Sequence, residues 1–164
     1  METPPLIDAD NSLASPIDLD TWLSAAMPAA EHVMSIAAHT DWDSPATAPE
    51  GPEIAAEVDL EGDNPLRIGI SVDTNSANAL ARQMLDAPDH PPFEPDVLTD
   101  VVSELTNMVA GLVKLRLARH ERRLRIALPR LVAPPRSEPG VRSIRARFGS
   151  ANGTLWVGRT ERAS

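Results

Sequence analysis

The sequence predicts an α+β domain in which an antiparallel β-sheet packs against several helices. Some segments carry apolar residues at helical spacing, others alternate apolar and polar residues as strands do, and clusters of Gly, Pro, Asn and Asp separate them. The predicted order is helix, two strands, helix, long helix, three strands. Because strands and helices do not alternate regularly, this order favours an antiparallel sheet over a parallel one.

Length and composition limit the kind of protein that this chain can be. With 164 residues, 42% of them hydrophobic, the chain can bury the core of one domain and carry a tail. It contains no cysteine, which excludes a disulfide framework, a thiolate zinc site and a cysteine nucleophile. No run of 18 apolar residues is present, and the acidic N-terminus has no signal-peptide pattern, so we expect a cytoplasmic protein with no membrane partner.

Charge is distributed unevenly along the chain. The net charge of -9 argues against nucleic acid as the main partner. Residues 1–110 contain 21 carboxylates but only two basic side chains, Arg67 and Arg82, whereas residues 111–164 contain 13 basic side chains and three carboxylates. Two interpretations are open: a solvated basic face, or docking onto an acidic partner or a second subunit.

The N-terminal third is predicted to hold a tail, helices and a loop. Residues 1–16 lack periodicity, which is typical of a disordered tail, and residues 17–164 would form one domain. Apolar residues recur at helical spacing within residues 17–40, where Pro28 predicts a kink or the start of a second helix. Three prolines in residues 41–52 predict a loop.

The core, residues 53–160, begins with a predicted hairpin and a short helix. Alternation from Ile54 to Val58 and from Leu66 to Ile70 flanks a turn. Side-chain oxygens in residues 74–76 can cap a helix that continues to Leu85.

A long helix and three strands are predicted to follow. Pro95 suits the first turn of a helix that extends to about Glu121. The strand-like runs are residues 124–132, 141–148 and 153–158, of which the last two form a hairpin. Alternation within the second run places Arg145 and Arg147 on an exposed sheet face.

The long helix sets polar residues along one face of an otherwise apolar segment. The steps from Asp100 to Glu104, Asn107 and Gly111 are four, three and four residues, which places all four on one face. The rest of the circumference is apolar, so we expect a buried helix with one polar window. The two acids could also be a solvated stripe favoured by the helix dipole. A structural explanation is weaker for Asn107, because Asn is a poor helix former and its amide needs partners.

With Asp100, Glu104, Asn107 and Pro129, the chain resembles the CheC/CheX/FliY family of chemotaxis phosphatases. The family motif is an Asp or Ser, three residues, Glu, two residues, Asn, twenty-one residues and Pro, and all four positions are met here. The preceding hairpin and helix, and the strand that ends at Pro129, also resemble the family. The resemblance covers residues 53–160, and residues 18–40 resemble its N-terminal helix.

This resemblance implies hydrolysis of the aspartyl phosphate of a CheY-like receiver in chemotaxis or another two-component pathway. Asn107 would orient the attacking water, and Glu104 would pair with the receiver's lysine. An uncharged carboxamide suits the first role, because phosphoryl transfer depends on positioning and a carboxylate would repel the phosphoryl oxygens. The receiver would supply Mg²⁺, and this chain would bind no metal or cofactor.

Four further residues would support the site or the docking of the receiver. Asp100 would orient Glu104 or contact the receiver, and Ser103, which has no neighbouring His base for nucleophilic catalysis, would lie beside them. Gly111 would keep the helix face low, so that another backbone can approach. Pro129 would set a strand edge or loop near the helix.

The chain departs from CheC-like members that carry two sites. The segment from Glu31 to Met34 has Met where a second motif would need Asn, so one site is predicted. A single site resembles CheX, which implies a homodimer. The alternative function is a non-catalytic module that binds a receiver or a flagellar partner through the same face.

Overall fold

The computed structural model describes residues 18–38, 42–43, 49, 51–118 and 123–160. Within these residues, three helices pack on a seven-stranded antiparallel sheet, which confirms the predicted α+β class. The elements in chain order are α1 (Leu19–Ala37), β1 (Trp42–Asp43), β2 (Glu53–Glu61), β3 (Leu66–Asp73), α2 (Thr74–Met84), α3 (Pro95–Leu117), β4 (Arg125–Ile126), β5 (Arg130–Leu131), β6 (Val141–Phe148) and β7 (Ala151–Arg159). The predicted tail, residues 1–16, lies outside the described residues.

The sheet has one face covered by helices and one without them. Its strand order is β1-β6-β7-β3-β2-β4, and β5 also pairs with β2. Alternate residues of the central strands, such as Val58, Ile68 and Val157, enter the main core together with the helices. On the opposite face the buried Trp156 lies over its cross-strand partner Gly69, where a Cβ atom would lie only 2.0 Å from the ring. Glycine is therefore required at position 69.

The N-terminal region contains one helix and one short strand. Helix α1 begins after Asp18, whose side chain accepts hydrogen bonds from the Thr21 backbone N–H (2.9 Å) and from its hydroxyl (2.8 Å). Pro28 lies inside α1, which excludes the alternative that a second helix begins at this proline. The predicted loop at 41–52 is partly wrong, because Trp42 and Asp43 pair with β6 as β1. Strand β1 could not be predicted from the local sequence, because it depends on pairing with the distant β6.

The predicted hairpin and short helix are confirmed, with a different cap. Strands β2 and β3 pair over their full length, from Glu53 opposite Asp73 to Leu60 opposite Leu66. Helix α2 starts at Thr74, and its capping oxygen belongs to Asp73, which accepts from the Ser76 N–H (2.7 Å). The prediction placed this oxygen within residues 74–76.

The second half of the core follows the predicted order with altered bounds. Helix α3 spans 23 residues to Leu117, and the predicted end at residue 121 lies outside the described part of the chain. Instead of one strand over 124–132 there are two short ones, β4 and β5. Strand β7 starts at Ala151, earlier than predicted, because Gly149 and Ser150 form a two-residue turn. None of the helices found in the described ranges could cross a membrane.

The basic C-terminal third pairs with the acidic N-terminal part of the same chain. Arg125 lies near Glu61, Arg136 near Glu53, and Arg142 of β6 near Asp20 of α1, at 3.7, 3.2 and 3.3 Å. Arg145 and Arg147 are exposed, as predicted. Part of the charge asymmetry is thus neutralised within the fold, a possibility that neither sequence interpretation included.

Candidate functional site on helix α3

Helix α3 is anchored by its apolar side and leaves a polar strip open. It packs on β2 and β3 and lies against α1 and α2. Its buried residues are Leu98, Val101, Val102, Leu105, Thr106, Val109, Ala110, Val113 and Leu117. Met108 and Leu112 are half-buried at the margin of this face. The predicted polar window is therefore present, and its position is held by the core.

The structure brings four of the predicted residues together in this window. Asp100 and Glu104 are exposed, whereas Asn107 and Gly111 are half-buried on the same face. Residues three or four apart on a helix have Cβ atoms about 5–6 Å apart, so Glu104 and Asn107 stand side by side. Among the described residues, the side chains of Asp100, Glu104 and Asn107 have no hydrogen-bond or ion-pair partner. Their polar atoms are available to a partner molecule.

The polar residues next to Asn107 do not share its open environment. Thr106 is fully buried, and its hydroxyl donates to the Val102 carbonyl at 2.7 Å. Ser103 is half-buried beside the window. A buried polar group must be satisfied internally, whereas one step further around the helix the carboxamide of Asn107 faces the open side.

Gly111 leaves a gap in the same face. A Cβ atom added at this position would meet no atom within 4 Å. Nothing in the described fold therefore requires glycine here, although glycine in a helix interior costs about 0.5–1 kcal/mol relative to alanine.

Pro129 lies outside α3, at the edge of the sheet. It is half-buried between β4 and β5, which both pair with β2 and contact α3. On either side of Pro129, the Ala127 N–H donates to the backbone carbonyl of Asp59 and the Val132 N–H donates to that of Ala55, both at 3.0 Å. Proline suits such an edge position, since no donor is needed from it.

Comparison with known proteins identifies the family. The sequence model described as "Chemotaxis phosphatase CheX" matches residues 54–137, slightly more than half of the chain. The chain belongs to the CheX family. The matched region contains α3 with its window and ends after β5, so it includes every residue of the predicted motif. No curated protein sequence matches significantly.

Solved structures of CheX proteins share the fold. CheX from Vibrio vulnificus is 19% identical with a TM-score of 0.68, and the match covers 85% of this chain and 99% of that one. CheX from Desulfovibrio desulfuricans is 18% identical with a TM-score of 0.67, over 85% and 99% of the two chains. A CheX chain from Borrelia burgdorferi, solved in complex with CheY, BeF3 and Mg²⁺, is 17% identical with a TM-score of 0.64, over 85% and 98%.

Two further features of this CheX-family chain were not predicted from the sequence. Arg130, next to Pro129, pairs with the buried Glu57 and with Asp59, and so fastens β5 to β2. Hydrogen bonds to Asp59 and then to Glu57 raise the pKa of Arg130 above its usual value. The second feature is Leu115, whose exposed fraction is 70%. Neither cross-strand pairing nor exposure can be read from local sequence.

The candidate site is a convex helix face. A polar cavity of about 420 Å³ lies on the opposite face of the sheet, lined by residues such as Glu53, Arg145 and Trp156, and no window residue lines it. In the described part of the chain, no three His, Cys, Asp or Glu side chains are grouped as a metal site would need. An exposed ridge with two carboxylates and a carboxamide is suited to enter the cavity of another molecule.

Proposed function

We propose that this CheX-family chain hydrolyses the aspartyl phosphate of a CheY-like receiver and acts only in complex with it. The observation that supports this most is Asn107, an uncharged polar side chain held on a rigid helix beside Glu104 with no partner among the described residues. The CheX chain from Borrelia burgdorferi was solved with CheY, BeF3 and Mg²⁺, which supports a receiver as the partner.

In the proposed reaction, Asn107 positions the attacking water. The water oxygen forms a bond to phosphorus while the bond between phosphorus and the aspartyl oxygen breaks, which yields aspartate and inorganic phosphate. The Asn107 carboxamide can accept a hydrogen bond from the water and hold its lone pair in line with the breaking bond. Positioning is the main requirement of this chemistry, since phosphoryl transfer needs little covalent help.

Glu104 has the proposed role of docking the receiver. Its exposed carboxylate lies one turn from Asn107 and can pair with a receiver lysine, which fixes the register of the two proteins. Asp100, one turn further towards the N-terminus of α3, would support this contact, as would the neighbouring Ser103.

We assign the Mg²⁺ of this reaction to the receiver. Asp100 and Glu104 are the two carboxylates of the window, and among the described residues no third His, Cys, Asp or Glu side chain joins them. A magnesium ion bound through one or two carboxylates also needs the substrate phosphate, which the receiver holds.

Homodimerisation through the β4–β5 edge is the second part of the proposal. Residues 125–132 form the outer edge of the sheet beside β2, where backbone groups on the open side can pair with another strand. Leu128 and Leu131 on this edge have exposed fractions of 88% and 57%. A second copy of the chain would cover these leucines.

Phosphate release from a phosphorylated CheY-like receiver with Mg²⁺ tests the enzymatic proposal. We expect the native chain to accelerate release and Asn107→Ala to lower kcat by about a hundredfold while it still binds the receiver. Glu104→Ala should instead weaken receiver binding by about tenfold or more. Asn75→Ala, which removes an exposed Asn from α2, is the matched control and should keep full activity.

No acceleration by the native chain with any candidate receiver would contradict the enzymatic role. Receiver binding without acceleration would leave the non-catalytic module. If Glu104→Ala bound the receiver as tightly as the native chain, the division of roles between Glu104 and Asn107 would be wrong.

A further inference from the structure

Leu115 lies on the same face of α3 as the proposed catalytic pair. Eleven residues separate it from Glu104, which is about three helical turns, so the two side chains lie in line along the helix. From Asn107 the distance along the axis is about 12 Å, well within the width of a small partner domain. Leu115 is 70% exposed, and no other exposed large hydrophobic side chain in the described residues belongs to α3.

The exposure of Leu115 is linked to Gly111. Helical side chains lean towards the N-terminus, so Leu115 lies over the turn that contains Gly111. A side chain at position 111 would pack against Leu115, as residues four apart do. Glycine removes that contact and leaves an open gap, since no atom lies within 4 Å of the position of its missing Cβ. We call the open space at Gly111, one turn from the exposed Leu115, the notch.

The fold gives no internal reason for this notch. Glycine weakens the helix interior, and an exposed leucine loses the free energy that burial would provide. Both costs fall at one place, on the face where Glu104 and Asn107 are available. Lys114 is half-buried on this face of α3. It places a positive charge at the C-terminal end of the face, whereas Asp100 and Glu104 place negative charges at the N-terminal end.

We infer that Leu115, next to the gap left by Gly111, is an apolar docking residue for the receiver. This inference rests on the proposed function, because the occupant of the notch is the same receiver that holds the phosphoryl group. A receiver that covers Leu115 removes its apolar surface from water, which favours binding. Leu115 would thus contribute to receiver affinity together with Glu104, while Asn107 determines the rate of the bound complex.

The test compares Leu115→Glu with a control, Leu85→Glu. Leu85 is also an exposed leucine and lies at the end of α2. For a phosphorylated CheY-like receiver, we expect Leu115→Glu to raise KM by about tenfold with kcat unchanged, and Leu85→Glu to change neither. Binding to the receiver loaded with BeF3 and Mg²⁺, measured by calorimetry, should weaken by the same factor. Unfolding curves establish that both variants are folded.

The outcomes separate this inference from the proposed function. If Leu115→Glu keeps the native KM and the native affinity for the loaded receiver, the docking role of Leu115 is wrong, whether or not the chain is a phosphatase. If Leu115→Glu weakens binding but the native chain releases no phosphate, the docking inference stands and the enzymatic proposal fails. If the native chain binds no loaded receiver, both are overturned.

Discussion

Two neighbouring polar residues of α3, Thr106 and Asn107, have opposite environments. Thr106 is buried and bonded to the Val102 carbonyl, whereas Asn107 lies in the open window. Their positions differ by about 100° around the helix, which is enough to separate a core residue from a candidate catalytic one. The chemistry proposed for Asn107 therefore depends on the apolar residues that fix the rotation of α3.

Asp18 provides a residue-level prediction about pH. Hydrogen bonds from the Thr21 backbone and hydroxyl lower the pKa of Asp18 in the folded state. A lowered pKa means that the stabilisation by Asp18 is complete above its unfolded-state pKa of about 3.9 and is lost as pH falls through the folded value. We expect the difference in melting temperature between the native chain and Asp18→Ala to shrink below about pH 4.

Asp18→Asn is the control for this pH effect. Its side chain can still accept the capping hydrogen bonds but does not titrate, so its own stability should lack this acidic dependence. A native-to-Asp18→Ala difference that stays constant from about pH 7 to pH 3 would show that the charge of Asp18 does not contribute to the cap.

At the level of elements, a substitution of Gly111 should change the stability of α3 and the affinity for the receiver in opposite directions. Because a methyl group at position 111 meets no atom, Gly111→Ala should raise the free energy of unfolding by about 0.5–1 kcal/mol. The same methyl group fills the proposed notch, so receiver affinity should fall. Chemical denaturation and receiver binding measure the two effects.

Gly51 is a matched control for this substitution. It also has no atom within 4 Å of an added Cβ, but its φ of +95° is a conformation that alanine adopts poorly. Gly51→Ala should therefore destabilise the fold, in contrast to Gly111→Ala. A destabilising Gly111→Ala would mean that glycine at position 111 serves the fold and not the partner.

Elements with their own periodicity were predicted well, and elements that depend on distant partners were not. The β2–β3 hairpin and α3 carry complete local signals, namely alternation around a turn and a long apolar stripe. Strand β1 exists only through its pairing with β6, and β4 and β5 only through β2. Pro28 illustrates the converse, since the packing of α1 against α3 and the sheet overrides the local tendency of proline to end a helix.

At the level of the whole molecule, ion pairs join the two oppositely charged parts of the chain. Arg130 pairs with Glu57, which is only 3% exposed, and further pairs join β6 to α1 and the loop before β6 to β2. The sequence showed the charge asymmetry but not its neutralisation within the chain, because pairing of residues more than 70 positions apart depends on the sheet topology.

The proposed homodimer also belongs to this scale. Because Leu131 lies on the exposed β5 edge, we expect Leu131→Glu to convert a dimer into a monomer, as measured by sedimentation velocity. Leu85→Glu, at a comparably exposed leucine of another element, should leave the dimer intact. A native chain that stays monomeric at high concentration, or a Leu131→Glu variant that stays dimeric, would contradict the proposed edge.

The candidate site was predictable because it is a pattern on one helix. Spacing alone placed Asp100, Glu104, Asn107 and Gly111 on one face, and the structure has them there. Leu115 was missed, since an apolar residue at helical spacing is ordinarily assigned to the core and its exposure depends on how α3 is covered.

The most direct test of the central claim is the single-turnover rate of phosphate loss from a saturated complex of this chain with a phosphorylated CheY-like receiver and Mg²⁺. Asn107→Asp keeps the size and shape of the side chain but replaces the carboxamide by a carboxylate, which would repel the phosphoryl oxygens. We expect the native chain to accelerate phosphate loss and Asn107→Asp to reduce that acceleration by at least about a hundredfold. A variant that hydrolyses the bound phosphoryl group as fast as the native chain would contradict the role of Asn107.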